Sequence, residues 1–217
     1  MSEVKQVHLV RHGEVNNPTG VLYGRLPGYH LSATGQAMAE RLGEWFANTP
    51  VDHLRCSPLE RAQETMAPIA EGREICVVTD ARLIEADNAF AGKVFGKYNK
   101  PLLDPRNWWL LRDPFTPSWG EPYPQLAARM LSAIDEVVAG LPTGGQAVLV
   151  SHQLPIWTTR LALEEHSFVH DPRRRQCILA SVTTLRYRDD TFCGLTYAEP
   201  ARDLLRENGN RAFSSGH

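Results

Sequence analysis

Apolar positions in this chain fall into short runs separated by longer periodic stretches, the pattern of strands alternating with helices. Val7-His8-Leu9-Val10 is the first run, and it ends at Arg11-His12-Gly13, which predicts a buried strand feeding a turn. From Thr34 to Ala47 the residues Ala37, Met38, Leu42, Trp45 and Phe46 recur at helical spacing, with Thr34 or Ser32 capping the start. A short strand is expected near Asp52 to Cys56. Pro58 then suits a helix start, where its missing N–H costs little, and Ala62, Met66 and Ile69 continue the apolar stripe. Ile75 to Val78 predicts a third strand. A helix from about Tyr123 to Ala139 is closed by Gly140 and Pro142, and the strand Ala147 to Val150 runs into Ser151-His152. Pro155 suits the first turn of a further helix carrying Ile156, Trp157 and Leu161. Ser181 to Tyr187 and Phe192 to Tyr197, around Asp189-Asp190, read as a hairpin.

Strands interleaved with helices predict an α/β fold: a three-layer αβα sandwich, its sheet mainly parallel with the hairpin as an antiparallel edge. At 217 residues the chain is expected to form one domain, 1–217, since two would fit tightly. The rhythm breaks between about 83 and 124, a stretch holding six prolines and three of the five tryptophans, Trp108, Trp109 and Trp119. An irregular stretch of that length usually forms a lid or pocket wall. The tryptophans either line a pocket or plug the loop onto the body. After about residue 200 the chain turns polar and is expected to be loosely held.

Composition narrows the partners. With 42% hydrophobic and 22% charged residues and a net charge of -2, the chain is neither disordered in character nor basic enough to favour nucleic acid. No window is apolar for long enough to cross a bilayer, so no membrane association is expected. Met1 to Gln6 lack the basic start and long apolar run of a signal peptide. Cys56, Cys76, Cys177 and Cys193 are scattered and read as reduced thiols, which makes the cytoplasm the default compartment.

The distinctive reactive residues fall just beyond the predicted strands. Arg11 and His12 follow the first, Arg61 the second, Glu85 the third and His152 the fourth. In a parallel sheet those positions open into one crevice at the carboxyl ends of the strands. Two guanidiniums can fork onto phosphate oxygens, a neutral imidazole can attack phosphorus, and a second imidazole can donate to the equatorial oxygens. One carboxyl, if protonated, can release its proton to a leaving oxygen. Taken singly, each residue also has an ordinary explanation: a structural histidine, a solvated Arg61 paired with Glu60 or Glu64, a surface Glu85.

Four ordered blocks add to this. Leu9-Val10-Arg11-His12-Gly13-Glu14 resembles the signature of the histidine phosphatase superfamily, the phosphoglycerate mutase-like proteins, and the similarity continues through Asn17, Tyr23-Gly24-Arg25-Leu26-Pro27-Gly28 and Leu31 to Gly35. Cys56 to Thr65 resembles the second arginine block, Leu83-Ile84-Glu85 the acid-bearing segment, and Val150-Ser151-His152 the second histidine. The resemblance implies that His12 becomes phosphorylated, that Arg11, Arg61 and His152 hold the phosphoryl group with help from Asn17, and that Glu85 serves as acid and then base. It further implies substrate contacts from Tyr23, Gly24, Arg25 and Gln153. The chain departs from the pattern at Glu85-Ala86-Asp87, at Gln153-Leu154-Pro155 where glycines are usual, and at Gly120-Glu121-Pro122 where a serine is missing.

The expected activity is therefore hydrolysis of a small phosphorylated metabolite, with mutase-type transfer and a non-catalytic phosphate-binding module as alternatives. No cofactor or metal is implied. His166 and His170 have helical metal-pair spacing but no third ligand nearby, and His12-Gly13-Glu14 lacks the cysteine partner of a deaminase. Arg173-Arg174-Arg175 reads as a solvated loop, less often as a pocket rim. The oligomeric state is open, a homo-oligomer included.

Overall fold

The first strand, β1 (Lys5–Arg11), alternates its side chains between two hydrophobic layers. In a computed structural model that describes residues 4–94 and 120–205, Val7 and Leu9 join one buried cluster and Val10 the other. The chain continues through α1 (Ala33–Phe46), β2 (His53–Cys56), α2 (Glu60–Ala70), β3 (Val77–Thr79), α3 (Tyr123–Gly140), β4 (Gln146–Ser151), α4 (Gln153–Leu163), β5 (Val182–Arg188) and β6 (Thr191–Ala198). The sheet order is β3-β2-β4-β1-β5-β6. The strands β3, β2, β4 and β1 are mutually parallel, and the β5–β6 hairpin pairs antiparallel to β1 at the edge.

Period-two alternation explains the layers. Val148 and Val150 of β4 face the cluster that holds Met38, Leu42 and Phe46 of α1 and Met66 and Ile69 of α2. Ala147 and Leu149 face the opposite cluster, with Met130, Ile134 and Val137 of α3 and Ile156 of α4. The result is the expected three-layer αβα sandwich. Leu9 has no exposed surface, and truncating it to Ala would cost about 2–5 kcal/mol.

The local signals resolve in detail. Ser32, not Thr34, caps α1, accepting the Gly35 N–H at 3.0 Å while its hydroxyl donates to Glu14 Oε1 at 2.7 Å. Pro58 lies ahead of the α2 cap at Leu59 rather than in the first turn, and Pro68 sits inside that helix. The third strand is shorter and later than Ile75–Val78 suggested. Asp189 and Asp190 both take positive φ, 49° and 57°, the backbone of a tight hairpin turn matched to strand twist.

The middle of the irregular segment, including Trp108, Trp109 and Trp119, lies outside the described residues. Its start is anchored by Leu83, which is fully buried. Beyond Pro200, Ala201 packs into the core and a short 3-10 turn at Arg202–Leu204 follows, with Asp203 paired to Arg41 at 3.2 Å; the rest of the expected loose tail is outside the described residues. Among the described residues no helix is long and apolar enough to cross a membrane.

Candidate active site

The crevice forms where β1, β2 and β4 end. His12 follows β1 and keeps the ladder going with its N–H on Ser151 O at 3.2 Å, and Ser57 follows β2 with its N–H on Val150 O at 3.0 Å. His152 caps the start of α4, and Arg61 stands in the first turn of α2. These distant segments place the two imidazoles with ring centroids 5.1 Å apart. His12, His152, Arg11 and Arg61 are all buried, with Arg61 and His152 at 0% exposure.

The loop after β1 explains its glycine. A Cβ on Gly13 would sit 2.6 Å from Gly35 O, and one on Gly35 would sit 1.9 Å from Glu14 O. The loop and the first turn of α1 thus meet backbone to backbone. Gly13 N–H donates to Thr65 Oγ1 at 3.1 Å, and that hydroxyl donates to Arg61 O at 2.7 Å. The arginine helix therefore holds the histidine loop in place.

Hydrogen bonding sets the His12 ring. Its Nδ1 lies 2.8 Å from Gly13 O, and a carbonyl can only accept, so Nδ1 carries the proton and Nε2 the free lone pair. Burial, reinforced by Arg61 and Arg11, holds the imidazole well below its ordinary pKa, so it is neutral at physiological pH. The same causes, with His12 itself contributing, depress His152. His152 Nε2 lies 2.8 Å from Ser57 Oγ, which also accepts the Leu59 N–H at 3.4 Å. With the Ser57 hydroxyl proton turned to Nε2, the ring proton of His152 sits on Nδ1.

Among the described residues, Nε and Nη1 of Arg61 and Nδ1 of His152 find no hydrogen-bond partner. Arg61 Nη2 donates to Gly24 O at 2.7 Å, and its guanidinium lies 4.7 Å over the Tyr23 ring. Tyr23 and Gly24 thus act on Arg61 from behind. Arg11 donates from Nη1 to Cys177 O at 2.7 Å, and Gln153 Nε2 reaches the same carbonyl at 3.2 Å. Asn17 closes its own loop, its side-chain amide exchanging bonds of 2.8 and 3.1 Å with the Val21 backbone.

Glu85 keeps partial solvent access, yet burial raises its carboxyl above the ordinary carboxylate range, while the Ala86 N–H and the charges of Arg61, Arg11 and Arg175 pull the other way. Its backbone is clamped. Arg25 Nε donates to Glu85 O at 2.7 Å, and Arg129 Nη2 donates to Ile84 O at 2.7 Å. Glu121 ties the two clamps, accepting from Arg25 Nη2 at 2.9 Å and Arg129 Nε at 2.7 Å. Arg25 is therefore a support for the acid-bearing segment.

A neutral imidazole with a fixed lone pair, beside buried polar atoms on Arg61 and His152 that have no partner among the described residues, could accept an anionic group and attack it through nitrogen. The sequence model of the histidine phosphatase superfamily (branch 1) matches residues 7–199. The chain belongs to the histidine phosphatase superfamily. It is 54% identical to the uncharacterized protein Rv0525 of Mycobacterium tuberculosis over 202 residues, 93% of this chain and 99% of that one. It is 32% identical to the probable phosphoglycerate mutase GpmB of Klebsiella pneumoniae over 158 residues, 70% of this chain and 71% of the relative. The fold is similar to that of mycobacterial glucosyl-3-phosphoglycerate phosphatase Rv2419c, with a TM-score of 0.70, 24% identity, and 90% and 97% of the two chains covered.

Within this superfamily member, several contributors escaped the sequence reading. Ser57 and Thr65 lie inside the Cys56–Thr65 block, but nothing in their spacing tells which imidazole or amide they meet. Arg129 offers no sequence signal, because apart from Glu121 its partners are backbone carbonyls more than forty positions away. Of the Arg173–Arg175 run, Arg173 and Arg174 are exposed as expected, while Arg175 turns inward. His166 and His170 lie beyond the end of α4, and His170 Nε2 accepts from Arg175 at 2.8 Å.

Proposed function

We propose that the chain is a phosphatase that hydrolyses phosphomonoesters of a small phosphorylated metabolite through a phosphohistidine on His12. One observation carries the reading: buried, unpartnered donors on Arg61 and His152 surround a neutral His12 ring whose Nδ1 is already occupied. Leaving such groups unsatisfied costs about 1–3 kcal/mol each, more for a charged one, and phosphoryl oxygens would satisfy them.

In the proposed reaction, Nε2 of His12 attacks phosphorus, and the N–P bond forms as the bond to the leaving oxygen breaks. Glu85 gives its proton to that oxygen, so the product departs as a neutral alcohol. Charge on the equatorial oxygens is met by Arg11, Arg61 and His152. Water then attacks the phosphohistidine, Glu85 takes its proton, inorganic phosphate leaves, and the imidazole returns to its starting state.

The test is phosphate release from p-nitrophenyl phosphate by the wild type and by His12→Ala. We expect the variant to remain folded and to lose at least about a thousandfold in kcat/KM. Activity within tenfold of wild type would remove His12 from its role. A second reading, transfer of the phosphoryl group back to another position of the same molecule, is favoured by the similarity to a relative named as a mutase. Interconversion of phosphoglycerates outpacing phosphate release would select it.

A further inference from the structure

Among the described residues the guanidinium of Arg61 has one hydrogen bond, from Nη2 to Gly24 O, and a single bond does not fix the plane of the donor fork. The ring of Tyr23, 4.7 Å from the guanidinium carbon, supplies the missing constraint. Tyr23 in turn meets a second aromatic: its ring stacks on that of Tyr29, with centroids 5.0 Å apart and planes 28° from parallel. A guanidinium laid on a ring keeps its orientation only while the ring keeps its own.

The residues flanking Tyr29 are pinned to α2, the helix that carries Arg61. Gly28 N–H donates to Glu60 Oε1 at 3.0 Å, Leu31 N–H donates to Glu64 Oε2 at 2.7 Å, and His30 Nδ1 lies 2.5 Å from Glu64 Oε1. The same segment pairs with the loop after His12, where Asn16 N–H meets His30 O at 2.9 Å and Val15 bridges Leu31. Glu60 and Glu64 stand four positions apart and so share a helix face, with Arg61 beside the first of them. The Gly28 N–H holds the Glu60 carboxyl below the ordinary carboxylate range, so this anchor is charged at neutral pH. One helix thus presents the cation and also fixes the stacked rings that the cation lies on.

We propose that Tyr29 is a positioning residue for Arg61, acting through the ring of Tyr23, with Glu64 as its anchor. This rests on the phosphoryl-site reading of Arg61. In phosphoryl transfer, charge spreads over three equatorial oxygens, and a planar fork serves them only when correctly aimed. The aim of Arg61 therefore counts for more in the five-coordinate state than in the tetrahedral one.

The test compares binding of inorganic phosphate and orthovanadate by calorimetry. Phosphate stays tetrahedral, whereas vanadate held by a histidine nitrogen becomes five-coordinate. Wild type should prefer vanadate by at least about tenfold. Tyr29→Leu should shrink that preference about 3- to 10-fold, while Tyr29→Phe, which keeps the ring, should stay within about twofold of wild type. Glu64→Met should reproduce the loss, and Glu64→Gln, which keeps an acceptor for the Leu31 N–H, should restore part of it. The preference is a ratio within one protein, so a merely structural role, lowering the folded fraction, leaves it unmoved. A vanadate preference that survives Tyr29→Leu, or that Tyr29→Phe loses as fully, overturns this proposal alone. Wild type that binds neither anion sinks the phosphoryl-site reading and this proposal with it.

Discussion

Ser57→Ala removes one oxygen from a fully enclosed place and tests how the second histidine is aimed. Ser57 and His152 both have 0% exposure, and 2.8 Å separates Ser57 Oγ from His152 Nε2. Without the hydroxyl, a buried ring nitrogen loses its partner at about 1–3 kcal/mol. The ring is then free to move its proton to Nε2, which would turn Nδ1 from a donor into an acceptor toward the proposed phosphoryl group. If that whole cost falls on the transition state, kcat/KM drops about 5- to 150-fold. The loss should appear mainly in kcat, because the donor gains strength as charge builds on the equatorial oxygens. Steady-state hydrolysis of p-nitrophenyl phosphate by Ser57→Ala, His152→Ala and the double variant closes a mutant cycle. The double variant should be no slower than His152→Ala alone. Fully additive losses, or a Ser57→Ala enzyme within twofold of wild type, would show that the serine does not act through the imidazole.

Two further outcomes follow from the acid and its supports. Glu85 is held above the ordinary carboxylate range, so its protonated form persists to higher pH and activity on poor leaving groups falls as pH rises through that value. Glu85→Gln should erase this alkaline limb and slow alkyl phosphates far more than nitrophenyl phosphates; a limb that survives, or an equal effect on both, would acquit Glu85. Arg129→Met removes the bond to Ile84 O and the Glu121 pairing, and should lower kcat about tenfold for alkyl phosphates with KM little changed. Arg129→Lys should restore part of that, and a uniform loss across leaving groups would mean that Arg129 serves stability alone.

Much of the crevice was legible because parallel strands deliver whatever follows them to one end of the sheet. Arg11-His12, Arg61 and His152 could be brought together from strand order alone, before any side-chain contact was known. The hairpin was legible for a local reason: two aspartates at its turn tolerate the left-handed backbone it needs. Other features depend on tertiary neighbours that spacing does not encode. Ser32 wins the cap over Thr34 because Glu14, from the loop after β1, takes its hydroxyl proton. Tyr23 and Gly24 stand in a recognisable block, yet their contacts run to the guanidinium of Arg61. Arg175 reads like its exposed neighbours in sequence, and only the position of Gln153 and His170 draws it inward.

The bond from Arg25 to the carbonyl of Glu85 joins residues 60 positions apart, and it is not alone. Leu22 exchanges backbone bonds of 2.9 Å with Lys93 and Gly92, so the stretch after β1 and the stretch around Glu85 are woven together. A bulky guest that pushes Arg25 and its loop outward would also drag Glu85, the proposed proton donor, off its aim. Discrimination by size would then register as slowed turnover of molecules that still dock, and screening by binding alone would overlook it.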